Sequence, residues 1–348
     1  MTKILPDHRM QMGNFEFLDF PDEAEVAALR GKLAIDAPMD LSWTWDYGSE
    51  VAELRQLYEK GKTAQWNATT DLDWEIPVSR DEWVIKPDSS LLANVCKLMG
   101  KDEATQKAAA FDELGYLLSQ LLHGEQAALQ LCGQLTNVCD KMDQKFYAAS
   151  QTIDEARHIE VMSRFLAQKM GTICPVSPVL KLLLDTLLQA EGMQKKLLGM
   201  QTLFEGTAVG IMDSLRTESC NALFGEMLHR VQQDESRHAA FGVLQMRRLV
   251  REASVEEMNE MEDWSFSILE ALNANQNRDM LKLFEEKYGY DVDTISEMAV
   301  GLPEFPEFNS QIFMHTVVPN LKNLGLITER TEDQWTGVGM MLGKSPAN

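Results

Sequence analysis

The pentad Asp154-Glu155-Ala156-Arg157-His158 returns 80 residues later as Asp234-Glu235-Ser236-Arg237-His238, and the reading of this pair decides the fold. On an α-helix a Glu and a His three positions apart point about 60° from one another, so both reach a single ion. One Glu-x-x-His is common by chance. Two copies inside matching pentads make two half-sites. A carboxylate-bridged two-metal site in a four-helix bundle then needs one Glu from each of two further helices, at the same depth. Glu125 and Glu205 supply it, each 30 residues before the Glu of its pentad. The midpoints fall at Cys139-Asp140-Lys141 and Ser219-Cys220-Asn221, where a helical hairpin would turn. Equal distances from a turn mean equal depth, which favours Glu125 over Glu113 and Glu205 over Glu191. Two hairpins, each carrying Glu and Glu-x-x-His, form a pseudo-twofold pair with four carboxylates and two imidazoles.

Working outward, the texture is all-α. Long helical patterns run from Asp102, an N-cap, to about Met142, from about Gln144 to Met170, from Val179 to about Arg216, and from about Asn221 to Arg251. Four helices far longer than the average of about 11 residues predict a four-helix bundle with additional flanking helices. Residues 1–50 read as an irregular arm, broken by Pro6, Pro21 and Pro38 and anchored by Trp43, Trp45 and Tyr47. Residues 49–62 read as a helix leading into the bundle, which spans 51–251. Residues 252–348 read as shorter helices packed on it, with breaks at Gly289, Gly301, Pro303, Pro306 and Pro319, the whole forming one structural domain.

Composition bounds the partners. The chain of 348 residues carries 32 basic and 54 acidic residues, a net charge of −22, which repels nucleic acid and anionic lipid. Cys96, Cys132, Cys139, Cys174 and Cys220 are odd in number and lack Cys-x-x-Cys pairing, as expected of reduced thiols in a cytoplasm. The N-terminus has no basic start followed by an apolar run, and no window is apolar enough for a membrane span. These features predict a soluble, unprocessed cytoplasmic protein.

The donor set points to iron, with a manganese/iron pair as the alternative. Structural zinc prefers sulfur or more imidazole, and calcium avoids nitrogen. A metal-bound imidazole usually donates its second N–H to a carboxylate. Asp154 and Asp234 are placed to accept across the pseudo-twofold axis, Asp154 from His238 and Asp234 from His158, with Arg157 and Arg237 neutralising them. Metal binding is expected to stabilise the fold, because four buried carboxylates without it are costly.

The set Glu125, Glu155, His158, Glu205, Glu235 and His238 resembles the ferritin-like di-iron carboxylate superfamily, in particular its oxygen-activating branch: ribonucleotide reductase small subunits, bacterial multicomponent monooxygenase hydroxylases and acyl-carrier-protein desaturases. The resemblance covers roughly residues 50–250. It implies a ferritin-like bundle, two iron ions, O2 as co-substrate, a small-molecule substrate, an external electron donor such as a ferredoxin or reductase, and a homodimer. The stretch from Leu57 through Gln65-Trp66 to Asp81 resembles the segment preceding the bundle in reductase small subunits, which implies contact of Trp66 with Asp234 and His158.

Departures from these relatives narrow the reading. The radical tyrosine of reductase small subunits falls at Met162, and the tail Lys344-Ser345-Pro346-Ala347-Asn348 holds no tyrosine. The third-helix Thr of the multicomponent monooxygenases falls at Val209, with Thr207 on another face. The extra His of arylamine N-oxygenases falls at Val231, and His229 is out of register. Gly124 and Gly206 leave space beside the ligands, and Met162, Phe204, Thr207, Val209, Met212 and Phe241 are candidate linings of a substrate or O2 pocket. The expected function is an O2-activating di-iron oxidase or oxygenase that hydroxylates, desaturates or N-oxygenates an organic substrate. A radical-generating subunit and a ferroxidase are the alternatives.

Overall fold

The computed structural model describes residues 34–37, 39–275, 278–300 and 313–341. Among these there is no strand, only an isolated bridge between Ile85 and Ser219. In chain order come α1 (Ala52–Thr63), α2 (Leu91–Leu98), α3 (Glu103–Val138), α4 (Met142–Phe165, continued by a π-helical turn Leu166–Met170) and α5 (Pro178–Gln189). A further helical run, α6, joins Met193–Lys196, a π-helical Leu197–Phe204 and Glu205–Thr217. After α7 (Ala222–Glu252) follow α8 (Val255–Asn275), α9 (Arg278–Tyr288), α10 (Val292–Val300), α11 (Val318–Asn323) and α12 (Glu332–Gly337).

Local chemistry sets the helix ends. Asp102, Ser177 and Asn221 each accept a backbone N–H from the first turn of α3, α5 and α7. The third long helix expected from the sequence is two pieces. It breaks at Ala190-Glu191-Gly192, where Gly192 takes φ 78°, a conformation that favours glycine. The carbonyl of Leu188 left free by the break accepts from Gln134 Nε2 at 3.1 Å and from Lys196 Nζ at 3.1 Å. The turns of the two hairpins lie at 139–141 and 218–221, where the midpoints placed them.

α3, α4, α6 and α7 form the bundle, and two apolar clusters fill it on either side of a polar layer. Leu131 and Leu135 of α3, Tyr147 and Ala148 of α4, Leu203 of α6 and Phe241 and Met246 of α7 belong to one cluster. Leu118 and Leu122, Val161 and Phe165, Met212 and Leu215, and Leu228 and Val231 belong to the other. Each helix therefore crosses from one greasy layer to the next through its Glu. α7 also comes close to the π-helical part of α6. A Cβ on Gly242 would sit 2.5 Å from the carbonyl oxygen of Gln201, so only glycine permits the approach.

Two carboxylates reach across to cap neighbours. Asp143 of α4 accepts from the backbone N–H of Glu50 and Val51, both at 2.9 Å, and from Arg55 Nε at 2.6 Å, fixing the start of α1. Glu113 of α3 accepts from Ser90 Oγ at 2.5 Å and from the N–H of Leu91 and Leu92, fixing the start of α2. The arm departs from expectation. Ser42 is tied to the α3–α4 turn through Asn137 and Lys145, but Trp43, Trp45 and Tyr47 are exposed, at 75%, 83% and 63%, and are not buried against the described bundle. Residues 1–33, the breaks at Gly301, Pro303 and Pro306, and the tail from Lys344 lie outside the described residues. Gly289 separates α9 from α10, whereas Pro319 lies in the first turn of α11. There is no disulfide among the described cysteines, and no described helix is long and apolar enough to cross a membrane.

Burial works to raise the Asp143 carboxyl, but the N–H of Val51 and the Arg55 side chain outweigh it and hold the group below the ordinary carboxylate range. A folded pKa depressed in this way adds stability that is present above the unfolded value and is lost as pH falls through the folded one. Asp143→Ala is expected to lower stability by about 2–3 kcal/mol at neutral pH, because it strands two backbone donors and Arg55. The loss should shrink in acid. Urea melts at neutral and acidic pH check this, and an equal loss at both would contradict it.

Candidate metal centre

The polar layer is built from one face of each bundle helix. Glu125 of α3, Glu155 and His158 of α4, Glu205 of α6, and Glu235 and His238 of α7 are all buried, the two imidazoles completely. Glu113 and Glu191, the competing carboxylates, stay out of the layer. Glu113 is occupied with capping α2, and Glu191 is exposed beside the break after α5.

Both imidazoles face the carboxylates with Nδ1. His158 Nδ1 lies 3.2 Å from Glu125 Oε2, 3.4 Å from Glu155 Oε2 and 2.9 Å from Glu235 Oε1. His238 Nδ1 lies 3.1 Å from Glu155 Oε1, 3.1 Å from Glu235 Oε2 and 3.8 Å from Glu205 Oε2. Glu155 and Glu235 thus each offer one oxygen to either imidazole, while Glu125 and Glu205 serve one side only. Two groups of ligand atoms are compact enough to hold an ion: Glu125, Glu155, His158 and Glu235, and Glu155, Glu205 and His238.

The opposite nitrogens face aspartates from the other hairpin. His158 Nε2 lies 3.2 Å from Asp234 Oδ2, and His238 Nε2 lies 3.4 Å from Asp154 Oδ2. A carboxylate only accepts, so Nε2 carries a proton toward the aspartate, and Nδ1 is the nitrogen turned to the glutamate oxygens. Arg157 donates to Asp154 at 2.6 Å and to Asp234 at 2.8 Å, and Arg237 likewise contacts both aspartates. Trp66 Nε1 donates to Asp234 at 2.8 Å, and its ring packs among apolar side chains and under Arg157.

Sequence reasoning missed two glutamines. Gln65 donates to Asp154 at 2.9 Å and accepts from Arg157 at 2.7 Å. Gln151 donates through Nε2 to Glu155 Oε1 at 2.9 Å and to Glu205 Oε1 at 3.0 Å. Its position one turn before Glu155 places it on the ligand face, a signal the helical period already carried. The candidate pocket residues are divided. Met162 and Met212 are buried in one apolar cluster, whereas Phe241, stacked on Tyr147, belongs to the other, with Phe204 packed against it. Thr207 spends its hydroxyl on the Leu203 carbonyl, and Val209 is half-buried. The π-helical segment ending at Phe204 sets the rotation at which Glu205 enters the layer, and nothing in the residue pattern announced it.

The electrostatics match a site built for cations. Burial, then the charge of Glu235, pushes the Glu125 carboxyl well above its ordinary range, and burial with the charges of Glu235 and Glu155 does the same to Glu205. Burial would lower His158 and His238, yet the facing glutamates raise both well above the usual histidine value. Burial would also raise Asp234, and the hydrogen bond from His158 holds it down instead. Glu155 Oε2 and Glu235 Oε1 are buried and face only His158 Nδ1, at 3.4 and 2.9 Å, without a hydrogen bond of good geometry. Those orphaned oxygens belong to the two carboxylates shared between the imidazoles, and a pair of divalent ions would satisfy both. The residues present therefore fit a two-metal group.

Fold and site together define the class: a ferritin-like helical bundle with a carboxylate and histidine cluster at mid-height. No known protein-family profile matches the sequence, and no curated protein matches it. Solved structures do. The dimanganese(II)-NrdF of Streptococcus sanguinis matches with a TM-score of 0.51 at 15% identity, over 86% of this chain and 98% of that one. An R2-like ligand-binding oxidase variant with an aerobically reconstituted Mn/Fe cofactor gives 0.44 at 17% identity, over 77% and 95%. A second variant, reconstituted anaerobically, gives 0.42 at 15%, over 76% and 98%. Likeness at such identities speaks for the fold, and the first match carries it.

Because Glu125, Glu205 and both imidazoles hold protons more tightly than free groups do, an incoming divalent ion must displace them. Mn(II) added to metal-free protein in weakly buffered solution is expected to acidify it, and affinity should rise with pH through the range where histidine titrates. A pH-indicator dye during titration reads the release. Affinity independent of pH there would contradict the proton inventory.

Proposed function

We propose that the chain is a di-metal oxidoreductase that uses O2 to oxidise a small organic substrate, with two electrons drawn from an external donor such as a ferredoxin or reductase. The observation that carries this reading is the sharing of Glu155 and Glu235, each with one oxygen toward either imidazole. Glu125 and His158 would complete one metal position, and Glu205 and His238 the other. Iron pairs and manganese/iron pairs both suit carboxylate-rich donors with one imidazole per ion.

When bound, the metal pair supplies the electron transfer and the O2 activation. The side chains do the rest. Asp234 and Asp154 keep the proton of each imidazole on Nε2, leaving the Nδ1 lone pairs directed inward. Arg157 and Arg237 neutralise the aspartates from within the protein, so that each His–Asp pair holds its orientation without water. The two apolar clusters exclude solvent above and below the layer, which protects reactive species from quenching. Met162 occupies the position four residues after His158 and is fully buried among apolar neighbours, with no phenol there to hold a radical.

Wild-type protein is expected to bind two Fe(II) ions per chain anaerobically and to consume O2 when they are present. Saturating metal should raise the melting temperature, since about 100-fold excess over Kd adds about 2.7 kcal/mol per site. Glu155→Ala combined with Glu235→Ala should abolish both the metal uptake and the thermal shift, while the metal-free melt stays cooperative. Two metals retained by that double variant would sink the assignment. A long-lived radical in EPR after O2 exposure would replace the oxygenase reading with a radical-generating subunit. Oxidation of many irons per chain would replace it with a ferroxidase.

A further inference from the structure

The polar layer is twofold in its carboxylates and imidazoles but not in what backs them. Since Glu155 and Glu235 correspond, so do the residues one turn before each, Gln151 and Val231. Val231 is buried in an apolar cluster beside Leu228 and Phe224. Gln151, equally buried, turns its amide onto the layer and holds Glu155 Oε1 and Glu205 Oε1 on the same N–H₂ group, 2.9 and 3.0 Å away.

The consequence falls on one half of the site. Glu205 has Oε1 committed to the amide and Oε2 left 3.8 Å from His238 Nδ1. Glu125, with Val231 rather than an amide in the corresponding place, puts Oε2 3.2 Å from His158 Nδ1. Three carboxylates face each imidazole, since Glu155 and Glu235 are shared, but all three close into one compact group only around His158, whereas the compact group around His238 holds Glu155 and Glu205. The two halves face the same number of carboxylates, but in the first the terminal carboxylate keeps both oxygens for an ion. In the second half the amide competes for the oxygens that an ion needs.

We propose that Gln151 is a positioning residue that makes the two metal positions unequal: by holding Glu205 to one ligating oxygen, it makes the His238 half the weaker position and the later to fill. This rests on the two-metal reading above. A protein whose two positions fill in sequence admits different ions into each, and Gln151 is then the residue that sets the order.

The test is an anaerobic calorimetric titration of the metal-free full-length chain with Mn(II), with EPR counting isolated and coupled ions at each step. Wild type is expected to show two steps at least about ten-fold apart in Kd, with the signal of an isolated Mn(II) at one equivalent. Gln151→Leu, which removes the amide at similar volume, should tighten the second step about ten-fold and leave the first unchanged. Gln151→Asn, which retracts the amide by one methylene and keeps the position polar, should move the second step in the same direction by less; it serves if the leucine variant fails to fold. A second step that weakens, or a gap that neither substitution changes, overturns the proposal while leaving a two-metal site in place. Failure of wild type to take up two ions at all removes the di-metal reading and this proposal with it.

Discussion

Everything in this structure depends on keeping four carboxylates and two imidazoles together in a layer from which water is excluded. Taking one ion out of water costs several kcal/mol even after relaxation. A buried leucine returns only about 1.5–3 kcal/mol, so the apolar clusters on both sides must be continuous across all four helices to hold the layer shut. The remaining charge is balanced from within. Protons held tightly on Glu125 and Glu205, the imidazoles, and the two arginines oppose the acidic groups. Divalent ions would replace those protons with a stronger version of the same balance.

The same economy appears at the periphery. Asp143 and Glu113 are buried carboxylates too, but each is answered by the unsatisfied N–H groups at a helix start. The difference separates an acid spent on the fold from one with an oxygen to spare. Glu113 has its oxygens bonded by neighbours, whereas Glu155 and Glu235 each retain a buried oxygen with no hydrogen bond. Depth in the bundle favours Glu125 over Glu113 in the sequence, and in the structure Glu125 lies in the polar layer while Glu113 is bonded to the start of α2.

How much could be read in advance follows from what is local and what is not. The pentads, the 30-residue offsets and the turn positions are periodic, and a helix converts period into direction and depth. The layer and its crossed His–Asp pairs were legible for that reason. The break at Gly192 is also written locally, in a glycine after an apolar run. The π-helical segment was not legible, because its wider turn has no signature in residue type and shows only in the close approach of Gln201 to Gly242. The exposure of Trp43 and Trp45 was equally out of reach. Aromatic side chains usually seek burial, and only the course of the arm across the α3–α4 turn leaves them outside. Gln151 lay on a face already identified, but an amide beside a carboxylate has no signature until the distances are known.

The crossing of each imidazole to an aspartate on the opposite hairpin bears on how the molecule comes together. Neither hairpin owns a finished half-site: His158 needs Glu235 and Asp234 from the second, and His238 needs Glu155 and Asp154 from the first. A change in one pentad is therefore felt at the histidine of the other, and the full set of donors for two ions would exist only once the hairpins have docked.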